Sequence, residues 1–255
     1  MMGHFIEDFF KRIQYQGSHD VQFDDLPKVM FQFAKNIPFE NIDIMQRKDI
    51  EINADNVKRK IIDQSRGGLC YELNPMFYYF LQEHGFDVQM VPATVSGNHP
   101  EIIETHVTIV LKKNDQRYLI DVGFGANHAL QPIPFSGEFV TSLTGEYRVK
   151  HDKTEAGEYV LEKYRCGKLE ASYSFFLKQI NESHLNHMKE VIMKHPHSPF
   201  NQSALLTKLT DDGHMTLTDK TFTMVKDGSK NKQSIDSIKM KQLSASQFGI
   251  DVGDI

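Results

Sequence analysis

Apolar residues recur at helical spacing through the first third of the chain and at a spacing of two from about residue 87. The segment Met1 to Gln16 mixes Glu7, Asp8, Lys11 and Arg12 into its apolar positions. It reads as an amphipathic helix and not as a signal peptide. Leu26, Val29, Met30 and Phe33 form an i, i+3, i+4, i+7 stripe, with Asp24 or Asp25 as its cap and Pro27 in its first turn. Ile37-Pro38 ends that helix. Asn53 or Asp55 caps another, carrying Val57, Ile61 and Ile62. Leu73, Phe77, Phe80, Leu81 and His84 predict a further helix that stops at Gly85.

Strands are expected at Val88–Val95, Glu104–Lys112, Arg117–Val122, Tyr147–Lys150, Tyr159–Cys166 and Ala171–Phe176. Such a run of short strands predicts a barrel or sandwich. A helix over Glu182–Met193 precedes the turn-rich His195–Pro199. A hairpin around Asp211-Asp212-Gly213 and a last helix near Ile235–Leu243 follow.

Composition narrows the class. The 255 residues are 40% hydrophobic and 25% charged, with a formal charge of −5. Nothing there favours nucleic acid or an anionic membrane surface. The apolar runs are too short to span a bilayer. Two cysteines, Cys70 and Cys166, make no disulfide framework, which points to the cytoplasm. Cys166 falls in an alternating stretch and reads as a packing residue.

The chemistry concentrates around Cys70. It follows Gly67-Gly68 and opens a predicted helix, where unpaired N–H groups create partial positive charge. That favours thiolate, the nucleophilic form, and the glycines leave room for something to approach the sulfur. The alternative is a small apolar residue buried beneath a tight turn. A thiolate acting on an acyl group needs a base, and the base needs an orienting group. His106 and Asp121 lie on successive predicted strands joined by Asn114-Asp115, a natural two-residue hairpin turn. With that turn Lys113 faces Gln116 and position 121 faces 108. His106 and Asp121 then share a face as diagonal neighbours, roughly 7–8 Å apart at Cα. A three-residue turn would put them on opposite faces. Taken singly, His106 reads as a solvent-facing or core histidine, and Asp121 as a cap on the Gly123-Phe124-Gly125 turn; the three residues together carry the catalytic reading.

These residues resemble the arylamine N-acetyltransferases. The resemblance rests on Pro38-Phe39-Glu40-Asn41, Arg66–Asn74, Thr105-His106 and Asp121–Gly125, with a shorter match at Ser198-Pro199-Phe200 and Asp212-Gly213. It implies an α+β fold with a thiol-protease-like core: a helical bundle over 1–86, an antiparallel β-barrel over 87–177 and an α/β lid over 178–255. Cys70 would be nucleophile, His106 base and Asp121 orienter. Arg66 and Glu40 would form a structural ion pair. Phe39, Phe124 and Phe200 would line the acceptor site, and Gly123 and Gly125 would border the coenzyme. Acetyl-coenzyme A is the implied donor, and an aromatic amine, hydrazine or N-hydroxylamine the acceptor. Ping-pong transfer through an acetyl-cysteine follows, with backbone N–H groups at the helix start as oxyanion donors. A monomer or weak homo-oligomer is expected. After Gly125 the chain reads Ala126-Asn127-His128-Ala129-Leu130, where a Pro-Leu pair is more usual in the family.

Other readings stay open. The same Cys, His, Asp order serves amide hydrolases and transglutaminase-like enzymes, and a non-catalytic coenzyme-binding protein could keep the fold. His184, His187, His195 and His197 lack a cysteine or carboxylate to complete a zinc set, so no metal is expected. Arg12, Lys58–Lys60 and Lys226–Lys232 read as solvated faces, or as attractors of coenzyme phosphates.

Overall fold

The computed structural model describes residues 2–253; Met1, Asp254 and Ile255, which the predicted first helix and last domain include, lie outside the described residues. The first region comprises α1 (Met2–Ile13), α2 (Leu26–Asn36), the short strand β1 (Phe39–Glu40), α3 (Ile42–Met45), α4 (Ala54–Lys58) and α5 (Cys70–Glu83). A π-turn, Arg59–Asp63, continues α4. The predicted stripe Leu26, Val29, Met30 and Phe33 is buried. Phe33 meets Phe77 edge-on at 5.4 Å, and Phe9 stacks on Phe80 at 4.3 Å, aromatic geometries that add to area burial.

Of the two candidate caps for α4, Asn53 does the work, accepting the Asn56 N–H. Asp25 stands at the N-cap of α2, but its carboxylate accepts the Gln22 N–H instead and closes a 3₁₀ turn. Two basic groups depart from the solvated-face reading. Arg12 donates to the carbonyls of Asn36, Ile61, Ser65 and Arg66, tying α1 to α2 and to the approach to α5. Burial lowers its guanidinium to about 10. Lys60 is buried between Asp43 and Glu72.

The second region is one antiparallel eight-stranded sheet. It comprises β2 (Asp87–Val95), β3 (His106–Lys113), β4 (Gln116–Ile120), β5 (Ile133–Pro134), β6 (Val140–Ser142), β7 (Gly145–Thr154), β8 (Gly157–Arg165) and β9 (Lys168–Phe175). Their spatial order is β5-β4-β3-β2-β9-β8-β7-β6. The sheet curls until β5 lies against β7, so it is a nearly closed barrel. Its interior holds Tyr147, Tyr173 and Phe175. The β3–β4 register is the predicted one, Lys113 opposite Gln116. Asn114 and Asp115 both take positive φ (49° and 61°), as a type I′ hairpin requires. Cys166 departs from expectation. It sits exposed in the β8–β9 turn with φ 49°, so it packs into nothing. The period-2 pattern ran on through a tight turn, where side-chain alternation no longer assigns faces.

The third region begins with α6 (Glu182–Lys194), whose Leu185, Met188 and Ile192 join the core of the first region. A meander follows, β10 (Leu205–Thr210), β11 (Gly213–Thr218), β12 (Thr221–Lys226) and β13 (Ser229–Ser234), and then α7 (Ser237–Leu243). Sequence patterning found the hairpin at the β10–β11 turn and the helix α7, but not β12 or β13. β1 completes this sheet by pairing with β10, Phe39 opposite Thr207. No described helix is long and apolar enough to cross a membrane.

Candidate active site

Cys70 is the first helical residue of α5, and Leu69 before it is extended. The start is fixed by charge. Glu72 accepts the Leu69 N–H at 3.0 Å and the Lys60 ammonium at 2.6 Å. Lys60 also reaches Asp43 at 2.7 Å. Arg66 forks onto Glu40 Oε1 at 2.8 and 3.0 Å, the implied ion pair, and touches Asp43 at 3.2 Å. Burial would lower the Lys60 ammonium, but Glu72, Glu40 and Asp43 outweigh it and hold it charged. Burial raises the Glu72 carboxyl against the pull of Lys60. The two glycines serve packing rather than access to sulfur. A Cβ on Gly67 would lie 1.8 Å from Pro38 O, and one on Gly68 would meet Glu72.

Across the cleft, His106 opens β3 and Asp121 lies one residue beyond β4. His106 Nε2 is 2.8 Å from Asp121 Oδ2. Cys70 is close enough to raise the His106 imidazole, and its sulfur lies 3.6 Å from Thr105 O. All three side chains are buried. The sequence-predicted trio is therefore brought together. Asp121 also fulfils its alternative reading, since Oδ1 accepts the Gly123 N–H at 2.8 Å.

Two side chains given no role by the sequence complete this arrangement. Asn74 donates to Asp121 Oδ1 at 2.9 Å and accepts the Val122 N–H. Its position one helical turn after Cys70 was the available signal. Tyr173, on β9, donates to Asp121 Oδ2 at 2.8 Å, and its ring centroid lies 4.8 Å from that of His106. Nothing local to residue 173 announces this contact. Burial would raise the Asp121 carboxyl, but His106, Asn74 and the Gly123 N–H outweigh it and hold it below the usual range. Burial would lower the His106 imidazole. The Asp121 charge and hydrogen bond, then Cys70, push it up to about 10.

Cys70 and His106 open onto a cavity of about 310 Å³, within the size range of small-molecule sites. Phe39, Phe124 and Phe200 all line it, and Gly123 and Gly125 form one edge. Phe39 and Phe200 meet at 5.7 Å, Phe124 and His106 at 5.3 Å. Leu205, Thr207 and Thr216 from β10 and β11 close the far side. The sequence showed these strands only as a hairpin around residues 211–213, with nothing to place them against the cavity. Gly123 must be glycine: a Cβ there would lie 2.9 Å from Cys70 Cα and 2.6 Å from Asn74 Nδ2. The four histidines considered for metal do not form one set. His184 faces Glu104 at 3.4 Å, while His195 and His197 lie with His99.

Residues 22–255 match the family described as N-acetyltransferase. The fold matches arylamine N-acetyltransferase C from Bacillus anthracis with a TM-score of 0.92 and 39% identity, covering 98% of this chain and 100% of that one. The NAT3 arylamine N-acetyltransferase from Bacillus cereus matches at 0.91 and 39%, over 96% and 98% of the two chains. That protein is described as having a Cys-His-Glu triad, whereas the carboxylate at His106 here belongs to an aspartate. The Mycobacterium marinum arylamine N-acetyltransferase, solved in complex with CoA, matches at 0.87 and 25%, over 98% and 95%. With the family matched over all but the first 21 residues, and the helical, barrel and sheet regions following solved members nearly end to end, the chain belongs to the arylamine N-acetyltransferase family of acetyltransferases.

Proposed function

We propose that the protein transfers acetyl from acetyl-coenzyme A to an aromatic amine, hydrazine or N-hydroxylamine through an acetyl-Cys70 intermediate. One observation carries this reading. A cysteine at a helix start faces an imidazole that is itself 2.8 Å from a buried aspartate, and cysteine and imidazole open onto one aromatic-lined cavity. The CoA complex of the M. marinum relative supports the donor.

In the first half-reaction the Cys70 thiolate attacks the thioester carbonyl. The tetrahedral oxyanion is met by backbone N–H groups at the α5 start. Collapse breaks the C–S bond to coenzyme A, whose sulfur takes the proton from the His106 imidazolium. In the second half, the amine nitrogen attacks acetyl-Cys70 and His106 accepts its proton. Cys70 leaves as thiolate and the amide departs, so the resting pair is restored. Asp121 keeps its negative charge throughout and orients the ring. Phe39, Phe124 and Phe200 give an apolar acceptor wall that disfavours water as the competing nucleophile. The two cysteines, both free, suit a reducing compartment such as the cytoplasm.

The test is mass analysis after incubation with acetyl-coenzyme A alone. One acetyl group on the Cys70 peptide, discharged by an aniline, is expected. No adduct, or an adduct that persists in Cys70→Ala, overturns the reading.

A further inference from the structure

A second cluster of chemistry-bearing side chains sits at the rim of the cavity. The loop between β2 and β3 carries Asn98 in the cavity wall, followed by His99 and Glu101. The turn after α6 carries His195 and His197, followed by Pro199 and Phe200 of the same wall. Glu101 Oε2 lies 3.4 Å from His195 Nε2 and 3.8 Å from His99 Nδ1. One donor atom from each of the three falls within 4.8 Å of the others. The His197 ring stacks on His99 at 4.2 Å and 14°, holding its plane. We propose that His99, Glu101 and His195 bind one divalent transition-metal ion of the zinc class, tying the barrel loop to the turn that walls the cavity.

The donor set fits. Two imidazoles and one carboxylate leave a fourth position open to water, as in three-ligand zinc sites. Two ligands at ~2.0–2.1 Å across a tetrahedral angle stand about 3.3 Å apart. The His195–Glu101 separation already meets that figure, and the His99–Glu101 separation exceeds it by about 0.5 Å. The carboxylate missing from the sequence reading is thus Glu101, and the helix pair His184 and His187 is not needed.

Binding has a structural consequence. His195 Nδ1 accepts the His197 N–H at 3.2 Å, and His99 Nδ1 accepts the Glu101 N–H at 3.4 Å. A metal on His195 Nε2 moves the ring proton to Nδ1, so the His197 N–H must turn to solvent. A metal on His99 Nδ1 displaces the Glu101 N–H in the same way. Both contacts are exposed, and water replaces them. The ion therefore bridges the two segments that carry Asn98, Pro199 and Phe200 of the cavity wall.

The test uses the full chain carrying Cys70→Ala, so that the sulfur beside His106 supplies no competing ligand. One Co²⁺ per chain with four-coordinate visible absorption, displaced by Zn²⁺, is expected. His99→Ala, His195→Ala and Glu101→Gln should each weaken uptake by more than the about 10–100-fold typical of an outer-shell change. Their metal-free melting temperatures should match the parent's, while the zinc-induced rise in melting temperature disappears. His184→Ala should bind as the parent does. Absence of uptake, or uptake that survives loss of His99 and His195, overturns the proposal. Because the readout is metal uptake by a chain without the Cys70 sulfur, the outcome is independent of acetyl transfer.

Discussion

His106 and Asp121 meet at 2.8 Å although Asp121 lies beyond the end of its strand. The hairpin register puts them on one face, but the ladder stops at Ile109 opposite Ile120. The last approach is made by the carboxylate's other partners. Asn74 and the Gly123 N–H hold Oδ1, and the Tyr173 hydroxyl shares Oδ2 with His106. All four partners donate, so the site is built for a carboxylate with no proton.

Asp121→Asn tests that arrangement. An amide has one acceptor oxygen and one donor nitrogen, so either orientation sets an NH₂ against donors already in place. Acetyl transfer to an aromatic amine should fall by about 10⁴-fold, the scale seen when an imidazole loses its orienting carboxylate. Circular dichroism should stay unchanged. A fall of only two- or threefold in single-turnover rate would count against the orienting role.

The charge of His106 gives a pH prediction. Its ordinary value is 6.5, and in the fold it is pushed up to about 10. A raised base binds its proton more tightly folded than unfolded. Its contribution to stability is therefore complete below about pH 6.5 and is lost as pH rises through about 10. Asp121, held below 3.8, acts oppositely, its contribution being lost as pH falls through its lowered value. Ring ¹⁵N shifts of His106 should report imidazolium at neutral pH and titrate in the alkaline range. A midpoint near the ordinary histidine value would remove the ion pair from the mechanism.

How much of this was legible beforehand differs by region, for physical reasons. Local signals were sufficient for α2, α5 and the β3–β4 turn. The stripe from Leu26 to Phe33, the Gly85 stop and the Asn114-Asp115 dipeptide each carry their own geometry. The third sheet was legible only at its β10–β11 hairpin. β13 reads Ser-Lys-Asn-Lys-Gln-Ser, with no apolar residue to alternate, because it is an exposed edge. β1 is two residues long and is held between β10, far along the chain, and a bridge from Phe39 to Gly68. Tyr173 was recognisable as a strand residue, but its hydroxyl finds Asp121 only after the barrel has curled. The family resemblance brought the Arg66–Glu40 pair within reach, but not Lys60, which the spacing of charges left on a solvated face.

Gly123→Ala should separate access from packing at the nucleophile. The added methyl would press on Cys70 Cα and Asn74 Nδ2 at once. Overpacking of this kind costs about 1–3 kcal/mol. The damage to acetyl transfer should exceed the damage to stability, because Asn74 is one of the donors fixing Asp121. Urea denaturation and single-turnover rates measured together decide the point. Equal loss in both, or none in either, would mean the contact is not transmitted to the aspartate.

Lys60→Met examines what holds the start of α5. Lys60 is the counter-ion of Glu72, and Glu72 in turn anchors the Leu69 N–H just before Cys70. Removing one partner of a buried pair strands the other charge, which costs about 3–5 kcal/mol. Asp43 keeps Arg66 as a partner, so the penalty falls mainly on Glu72. The double change Lys60→Met with Glu72→Gln should recover much of the stability, because a neutral amide can still accept from Leu69 without needing a cation. If the single variant melts with the parent, the buried pair contributes little to the helix start. If the double variant is no better than the single, the loss lies in packing of the lysine stem rather than in the unpaired carboxylate.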